Sequence, residues 1–260
     1  MAENHHEARF KELLDAGAHF GHLTRKWDPH MAPYIFAEKK GIHIIDLNKT
    51  VVKLDEACRA ISQIAKSGKK ILFVATKKQA RAAIEEKIAP TGMPYVVERW
   101  SGGMLTNFAT IRKAIRKMSS IDKMEADGTL STLSKRERLQ ISRQRAKLEK
   151  NLGGIADLTR IPSAVFIVDI NKENIALLEA KKLNITTFAM VDTNSDPTKV
   201  DFAIPANDDA SKSIGVVLDR VAKAITDGLN ERKSNKDKQA AAKSEKPKAA
   251  KAEAKESEKA

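Results

Sequence analysis

Lysine and arginine side chains are concentrated in one stretch of this 260-residue chain, and cations at helical spacing can bind the phosphates of a polyanion. Residues 111–150 carry 12 lysines and arginines against 5 acidic residues, a net charge of +7. Residues 231–260 carry 10 against 6, a net of +4, so only +2 of the total of +13 is left for the remainder. A nearly neutral body with two cationic segments indicates a protein that holds a polyanion at defined places.

The cationic stretch is predicted to form the two helices of a hairpin. Apolar residues recur at helical spacing on both sides of Asp127-Gly128, a pair typical of turns. Ser134 followed by Glu137 fits a capping box, which starts the second helix at Ser134. Because both apolar stripes are narrow, we expect the helices to project from the body as an antiparallel coiled coil. The stripe positions are Ile111, Ile115, Met118, Ile121, Ile141, Leu148, Leu152 and Ile155.

The cations of this hairpin surround the narrow stripes and are the first candidates for RNA contact. Arginine presents a planar fork suited to phosphate, and a rigid arm suits duplex RNA, which is recognised by its shape and phosphates. The alternative is a solvated helix pair whose charges serve only solubility, but the excess of positive charge and the share of arginine favour RNA. The predicted contacts are Arg112, Lys113, Arg116, Lys117, Arg136, Arg138, Arg143, Arg145 and Lys147.

Three loops beside the core supply further candidate RNA contacts. One is a basic loop before residue 30, a second lies at a predicted helix start where phosphate can bind, and a third precedes Gly102-Gly103, which lets backbone amides approach a phosphate. Solvated surface, or a turn leading to a helix cap at Thr106 or Asn107, is the alternative interpretation. The candidate residues are Arg25, Lys26, Trp27, Lys77, Lys78, Arg99 and Trp100.

Histidines and aspartates raise the question of a metal centre or an enzyme. Carboxylates follow the predicted strand ends, where an enzyme with a parallel α/β sheet could place catalytic groups. However, no serine or cysteine is accompanied in the sequence by a recognisable general base. Neither a P-loop nor a dinucleotide-binding motif is present. We predict no catalytic residue, no cofactor and no metal, with a phosphate- or nucleotide-handling enzyme as the alternative. The residues considered are His19, His22, His30, His43, Asp169, Asp192, Asp196, Asp208 and Asp209.

The elements that must position these residues alternate between strands and helices. Five strands, with helices between most of them, predict a three-layer α/β/α sandwich around a mainly parallel five-stranded sheet, Rossmann-like or flavodoxin-like. Residues 95–97 are expected to form a second central strand. The direction of the last strand stays open, because the segment 192–201 is shorter than a usual parallel crossover. The predicted strands are 71–75, 95–97, 164–168, 187–191 and 202–204.

Three segments are expected from this pattern. A discontinuous α/β core comprises residues 1–107 and 153–230, and the basic hairpin, 108–152, is inserted in it. Within the core, a short first helix ends near Gly17, residues 34–36 and 42–45 form a β-hairpin, and Asn48 caps the next helix. The tail, 231–260, has no large apolar residue and is expected to be disordered, although its alanine and lysine content would allow a helix on binding.

The composition bounds the class of protein. Aromatic residues make up 5% of the chain, which argues against a surface that grips single strands mainly by base stacking. Cys58 is the only cysteine, so an internal disulfide or a cysteine-based zinc cluster is excluded, and a reducing compartment is indicated. The N-terminus does not resemble a secretory signal, and no apolar run has membrane-spanning length. We expect a cytoplasmic protein without a membrane partner.

Several stretches, taken in order, resemble the bacterial family of the small-subunit ribosomal protein "S two". The most specific is Trp100-x-Gly102-Gly103-x-Leu105-Thr106-Asn107. The likeness covers roughly residues 8 to 230, and the tail lies outside it. Asn184, Thr186 and Ala206 depart from the glycine or proline common at those positions. The matching stretches are 17–22, 33–36, 41–47, 73–80, 100–108, 191–194, 196–197, 203–205 and 207–210.

This resemblance implies a structural, noncatalytic component of the small ribosomal subunit. It implies binding to 16S ribosomal RNA on the solvent side near the junction of head and body, with the helical arm on RNA. It also implies other small-subunit proteins as partners, among them the multidomain protein "S one", which the family is associated with recruiting. A functional homo-oligomer is not expected.

Overall fold

A computed structural model describes the backbone of residues 2–256 and the side chains of residues 6–130 and 132–235. Within that backbone, eight strands form two sheets. The strands are β1 (Phe20–Leu23), β2 (Ile35–Lys39), β3 (Ile42–Ile45), β4 (Ile71–Val74), β5 (Tyr95–Val96), β6 (Ala164–Val168), β7 (Thr186–Val191) and β8 (Phe202–Pro205). The α-helices are α1 (Ala2–Asp15), α2 (Leu47–Lys66), α3 (Lys78–Lys87), α4 (Phe108–Ala126), α5 (Lys135–Leu152), α6 (Asn174–Lys182) and α7 (Ser211–Glu256).

The larger sheet has five strands in the order β5-β4-β6-β7-β8, and all its neighbouring strands are parallel. This confirms the predicted sheet and settles the direction of its last strand. The short connection between β7 and β8 suffices because it contains one 3₁₀ turn, Pro197–Lys199, in place of a helix. The expectation of a second central strand at 95–97 is wrong, because β5 is two residues long and lies at the edge beside β4.

Alternating side chains of the sheet bury both of its faces, as a three-layer sandwich requires. Ile71 and Phe73 of β4 point to the layer of α1, α2, α3 and α7, whereas Leu72 and Val74 point to the layer of α6 and the base of the α4–α5 pair. Phe73 and Phe166 stack inside the first layer with their ring centroids 5.3 Å apart. The predicted α/β/α architecture is therefore confirmed.

The smaller sheet is antiparallel, in the order β1-β3-β2. The predicted hairpin is present as β2 and β3, whereas β1 was not predicted because its four residues include a glycine and a histidine. The helix α2 begins two residues earlier than expected. The Asp46 carboxylate accepts a hydrogen bond from the amide of Asn48 at 3.0 Å, so Asp46 and not Asn48 is the N-cap.

The last helix, α7, extends to Glu256 and so gives a helical backbone to most of the segment for which the composition predicts disorder. Its alanine and lysine content suits a helix. The final residues, 257–260, lie outside the described part of the chain, and disorder of the free tail stays a prediction. None of the described helices is both long and apolar enough to cross a membrane.

Two glycines of α7 offer a test of the packing between α7 and α2. A Cβ added at Gly228 would lie 2.5 Å from the Ser62 carbonyl oxygen, whereas one added at Gly215 would meet no atom within 4 Å. Gly228→Ala should lower the free energy of unfolding by about 1–3 kcal/mol, because the clash outweighs the gain in helix propensity. Gly215→Ala, the matched control, should raise it by about 0.5–1 kcal/mol. Chemical denaturation measures both, and equal effects would refute the close helix contact.

Candidate nucleic-acid interface

The helices α4 and α5 form the predicted hairpin, which we call the arm (residues 108–152). Gly128, at φ +72°, follows the end of α4 and allows the chain to turn. Ser134 begins α5 with the predicted capping box: the amide of Glu137 donates to the Ser134 hydroxyl, and the Ser134 amide donates to the Glu137 carboxylate at 3.1 Å. Local sequence signals alone therefore define both ends of the turn.

The arm has a narrow apolar seam. Ile115, Met118 and Ile121 are its buried residues on α4, and Leu152 is the buried residue on α5. Near the core, Ile115 and Leu152 join the second apolar layer of the main sheet. The predicted narrow seam is present, and it is continuous with the apolar core at the base of the arm.

Most of the predicted arm cations project into solvent. Arg112 is half-buried, and Arg145 has another role. The Arg145 guanidinium donates to Asp122 on α4 at 2.5 Å and to Glu149 one turn away at 2.7 Å. It joins the two helices across the seam and is therefore a structural bridge before it is a phosphate contact. The exposed ones among the predicted cations are Lys113, Arg116, Lys117, Arg136, Arg138, Arg143 and Lys147.

Lys77, a predicted phosphate contact, is buried with 7% of its surface exposed. Its ammonium group lies 2.7 Å from Asp208, 2.8 Å from Asp169 and 2.8 Å from Asp209. Burial alone would lower the pKa of Lys77, but the carboxylates, Asp208 foremost, outweigh it and raise the pKa. Lys77 is an internal counter-ion and does not belong to an RNA surface, whereas its neighbour Lys78 is exposed.

The carboxylates around Lys77 lie at the carboxyl ends of the parallel strands, where the enzyme alternative places them. Burial, followed by the charges of Asp192 and Asp169, raises the pKa of Asp208 from 3.8 to about 7. His22 lies 2.9 Å from Asp192, and this hydrogen bond raises the pKa of the imidazole. The network thus ties β1 of the small sheet to the end of β7, which is a structural task.

The Gly102-Gly103 loop, a predicted phosphate site, already holds an anion of this chain. The Glu179 carboxylate accepts hydrogen bonds from the amides of Gly103 (2.7 Å), Leu105 (2.9 Å) and Thr106 (3.0 Å). The indole nitrogen of Trp100 also donates to it, at 3.1 Å, and Trp100 is buried. Trp100 is therefore unavailable to a sugar or base, although Arg99 beside it is exposed.

The basic loop Arg25-Lys26-Trp27 lies at the surface, with all three side chains exposed. The Trp27 ring packs beside His43 with centroids 5.1 Å apart. The structure leaves these residues, together with Lys78 and Arg99, as surface candidates outside the arm.

One group of possible metal ligands is present among the described residues: Asp28, His30 and Asp196. The Asp28 carboxylate accepts a hydrogen bond from the amide of His30 at 2.9 Å, and the Asp196 carboxylate accepts one from the amide of Thr198 at 2.9 Å. Both aspartates cap 3₁₀ turns, which accounts for their positions without a metal.

Comparison with known proteins decides the family. The model of the family described as "Ribosomal protein S2" matches residues 13–228. The chain belongs to the ribosomal protein S2 family. It is therefore a ribosomal protein and not an enzyme, and the strand-end carboxylates have the structural role that their pairing with Lys77 indicates.

Relatives of this chain within the S2 family include bacterial proteins named small ribosomal subunit protein uS2. The chain is 69% identical to that of Phocaeicola vulgatus over 227 residues, which cover 87% of this chain and 81% of the relative. It is 64% identical to that of Flavobacterium johnsoniae over 231 residues, 89% and 91% of the two chains. The matched parts contain the core and the arm.

The buried Asp208 predicts a specific pH dependence of stability. Folding raises the pKa of Asp208, so the folded state binds its proton more tightly than the unfolded state does. The free energy of unfolding that protonated Asp208 contributes is therefore present below about pH 4 and is lost as the pH rises from about 4 through about 7. Asp208→Asn should remove this loss, so the variant gains stability relative to wild type between about pH 5 and about pH 8. Urea denaturation of the variant and of wild type at about pH 5 and about pH 8 measures this difference in the free energy of unfolding. Asp127→Asn, at an exposed turn, is the control, and a pH-independent difference for Asp208→Asn would contradict the assignment.

Proposed function

We propose that this protein is a structural component of the small ribosomal subunit that binds 16S ribosomal RNA through the phosphate-facing cations of its arm. The observation that carries the proposal is a set of seven exposed arginines and lysines on α4 and α5 for which no ion pair is described within the chain. Arg145 and Lys150 are left out of this set because they pair with Asp122 and Glu98. Family membership and the relatives' names support the ribosomal setting. That setting places the protein in the cytoplasm.

The arm acts in this proposal as a unit distinct from the discontinuous core of residues 1–107 and 153–230. Its apolar seam and the Arg145–Asp122 bridge hold α4 and α5 together. A rigid, arginine-bearing rod suits the phosphates and shape of duplex RNA, since such recognition needs fixed charges and not base stacking. The proposed RNA contacts are Lys113, Arg116, Lys117, Arg136, Arg138, Arg143 and Lys147, with Arg112, Arg25, Lys26, Trp27, Lys78 and Arg99 as secondary contacts.

Removing two exposed arm charges should lower both the affinity for RNA and the dependence of that affinity on salt. For Arg138→Ala combined with Arg143→Ala, we expect lower affinity for 16S ribosomal RNA and a salt dependence reduced by about one counterion per lost contact. Filter binding at several salt concentrations measures both quantities.

The matched control removes two charges on the opposite layer of the sandwich. Lys11 and Lys212 are exposed on α1 and α7, whereas the base of the arm packs on the other face of the sheet. Lys11→Ala combined with Lys212→Ala should leave the salt dependence close to that of wild type. An equal loss in both double variants would mean that net charge, and not the arm, determines binding.

A second part of the proposal concerns docking of the ribosomal protein "S one". The small sheet presents apolar side chains to solvent: Phe36 is 76% exposed, Phe20 49% and Leu23 39%. Phe20 and Leu23 pair with Ile44 and Ile42 of β3, so they share one face of the sheet. Phe36 lies on β2, the other edge strand of the same sheet. Exposed apolar side chains on both edge strands of one small sheet are suited to a protein-binding surface.

Substitution on this sheet tests the docking surface. Phe36→Ser should weaken capture of purified "S one" by small subunits that contain the variant, because it removes the most exposed apolar side chain of the small sheet. Val52→Ser, which alters a half-exposed apolar residue on α2, is the control. Undiminished capture with Phe36→Ser would remove this surface from the proposal, while leaving RNA binding by the arm untouched.

A further inference from the structure

Glu179 is a buried carboxylate that is held almost entirely by one loop. It lies on α6 with 8% of its surface exposed. Besides the amides of Gly103, Leu105 and Thr106 and the Trp100 indole, the Thr106 hydroxyl donates to it at 3.2 Å. Five donors thus converge on two oxygen atoms from a loop that is more than 70 residues away in the chain.

These donors keep the carboxylate ionised without a cation. Burial would raise the pKa of Glu179, but the hydrogen bonds from the amides of Thr106, Leu105 and Gly103 and from Trp100 outweigh it and lower the pKa. Among the described residues, no lysine or arginine forms an ion pair with this carboxylate. Hydrogen bonds to an ionised group are stronger than those between neutral groups, so the loop is bound to α6 more firmly than by neutral contacts.

The loop that Glu179 holds leads directly into the arm. The Asn107 amide donates to the Gly103 carbonyl at 2.8 Å, and α4 begins at the next residue, Phe108. No intervening linker could absorb a change of direction. The bound loop therefore sets where α4 starts and at what angle it leaves the core.

The returning end of the arm is held by a different contact. A Cβ added at Gly154, just after α5, would lie 2.3 Å from the Tyr95 carbonyl oxygen, so the chain there runs against β5. Besides the apolar contacts of Ile115 and Leu152, the base of the arm is attached by steric contact with an edge strand, by the Lys150–Glu98 ion pair at 3.7 Å and by the Glu179 carboxylate. Of the two attachments that depend on a charge, only the one made by Glu179 is buried.

We propose that Glu179 is the positioning residue of the arm: its carboxylate binds the loop of residues 100–106 and thereby fixes the direction of α4 and the placement of the exposed arm cations. The consequence for RNA binding rests on the function proposed above. The consequence for the geometry of the arm does not.

Distances between two spin labels measure the geometry directly. One label is placed on the arm through Ser142→Cys and one on α7 through Thr226→Cys, both at exposed positions. Cys58 is first changed to alanine, although burial raises the pKa of its thiol to about 12 and so limits its labelling. For Glu179→Gln, which keeps the size but not the charge, we expect a distance distribution about twofold broader than in the parent protein.

Glu173→Gln is the matched control. Glu173 is an equally buried carboxylate at the start of the same helix, but it accepts hydrogen bonds from Thr76 and not from the arm loop. This variant should keep the narrow distribution. Trp100→Phe removes one donor while keeping an aromatic ring in the apolar layer, and it should broaden the distribution less than Glu179→Gln does, which keeps the test decisive if Glu179→Gln does not fold.

RNA binding by the same variants separates this inference from the proposed function. Glu179→Gln should weaken binding to 16S ribosomal RNA without reducing the salt dependence, because every arm cation is still present. A broadened arm with unchanged RNA affinity would support the positioning role and refute RNA binding by the arm. A distribution as narrow as that of the parent in both Glu179→Gln and Trp100→Phe would overturn the positioning role, whatever the RNA affinity.

Discussion

The cost of burying a carboxylate is the constraint on which the organisation of this protein depends. A buried anion is tolerated only when cations or hydrogen-bond donors replace its water. Asp169 pairs with Lys77, Asp192 pairs with His22, and Glu179 accepts hydrogen bonds from the backbone amides of the arm loop. Each of these contacts joins elements that are distant in the chain, so the same requirement that keeps the anions tolerable also connects the small sheet, the large sheet and the arm.

This requirement also decides which basic groups remain for RNA. Lys77 and the amides near Gly103 are suited to phosphate by chemistry, but internal carboxylates already occupy them. The cations of α4 and α5 that are proposed as primary RNA contacts have no such internal partner described, in contrast to Arg145 and Lys150 of the same arm. The protein thus has buried donors, which stabilise the fold by binding its own carboxylates, and exposed donors, which remain accessible to a polyanion.

Local patterns sufficed for most of the elements, though not for β1 or the place of β5 in the sheet, and they did not reveal the partners of buried polar residues. Apolar runs and the Ser134–Glu137 box predicted strands, arm and turn because those signals lie within a few residues of one another. The roles of Lys77 and Trp100 were missed because Asp208 lies 131 residues from Lys77 and Glu179 lies 79 residues from Trp100. A glutamate within the apolar pattern of α6 was the one available signal that the helix faces a polar loop.

The two populations of charge should also respond differently to the surroundings. Exposed charges separated by more than a Debye length are largely screened at physiological salt, whereas buried pairs are screened much less. The pairing of Lys77 with Asp169, and the hydrogen bonds from the arm loop to Glu179, should therefore hold the core and the base of the arm over a range of salt at which the exposed arm cations lose most of their attraction for phosphate. In the proposed function, release of RNA then requires no unfolding, because the proposed RNA contacts are not the charges that hold the arm in place.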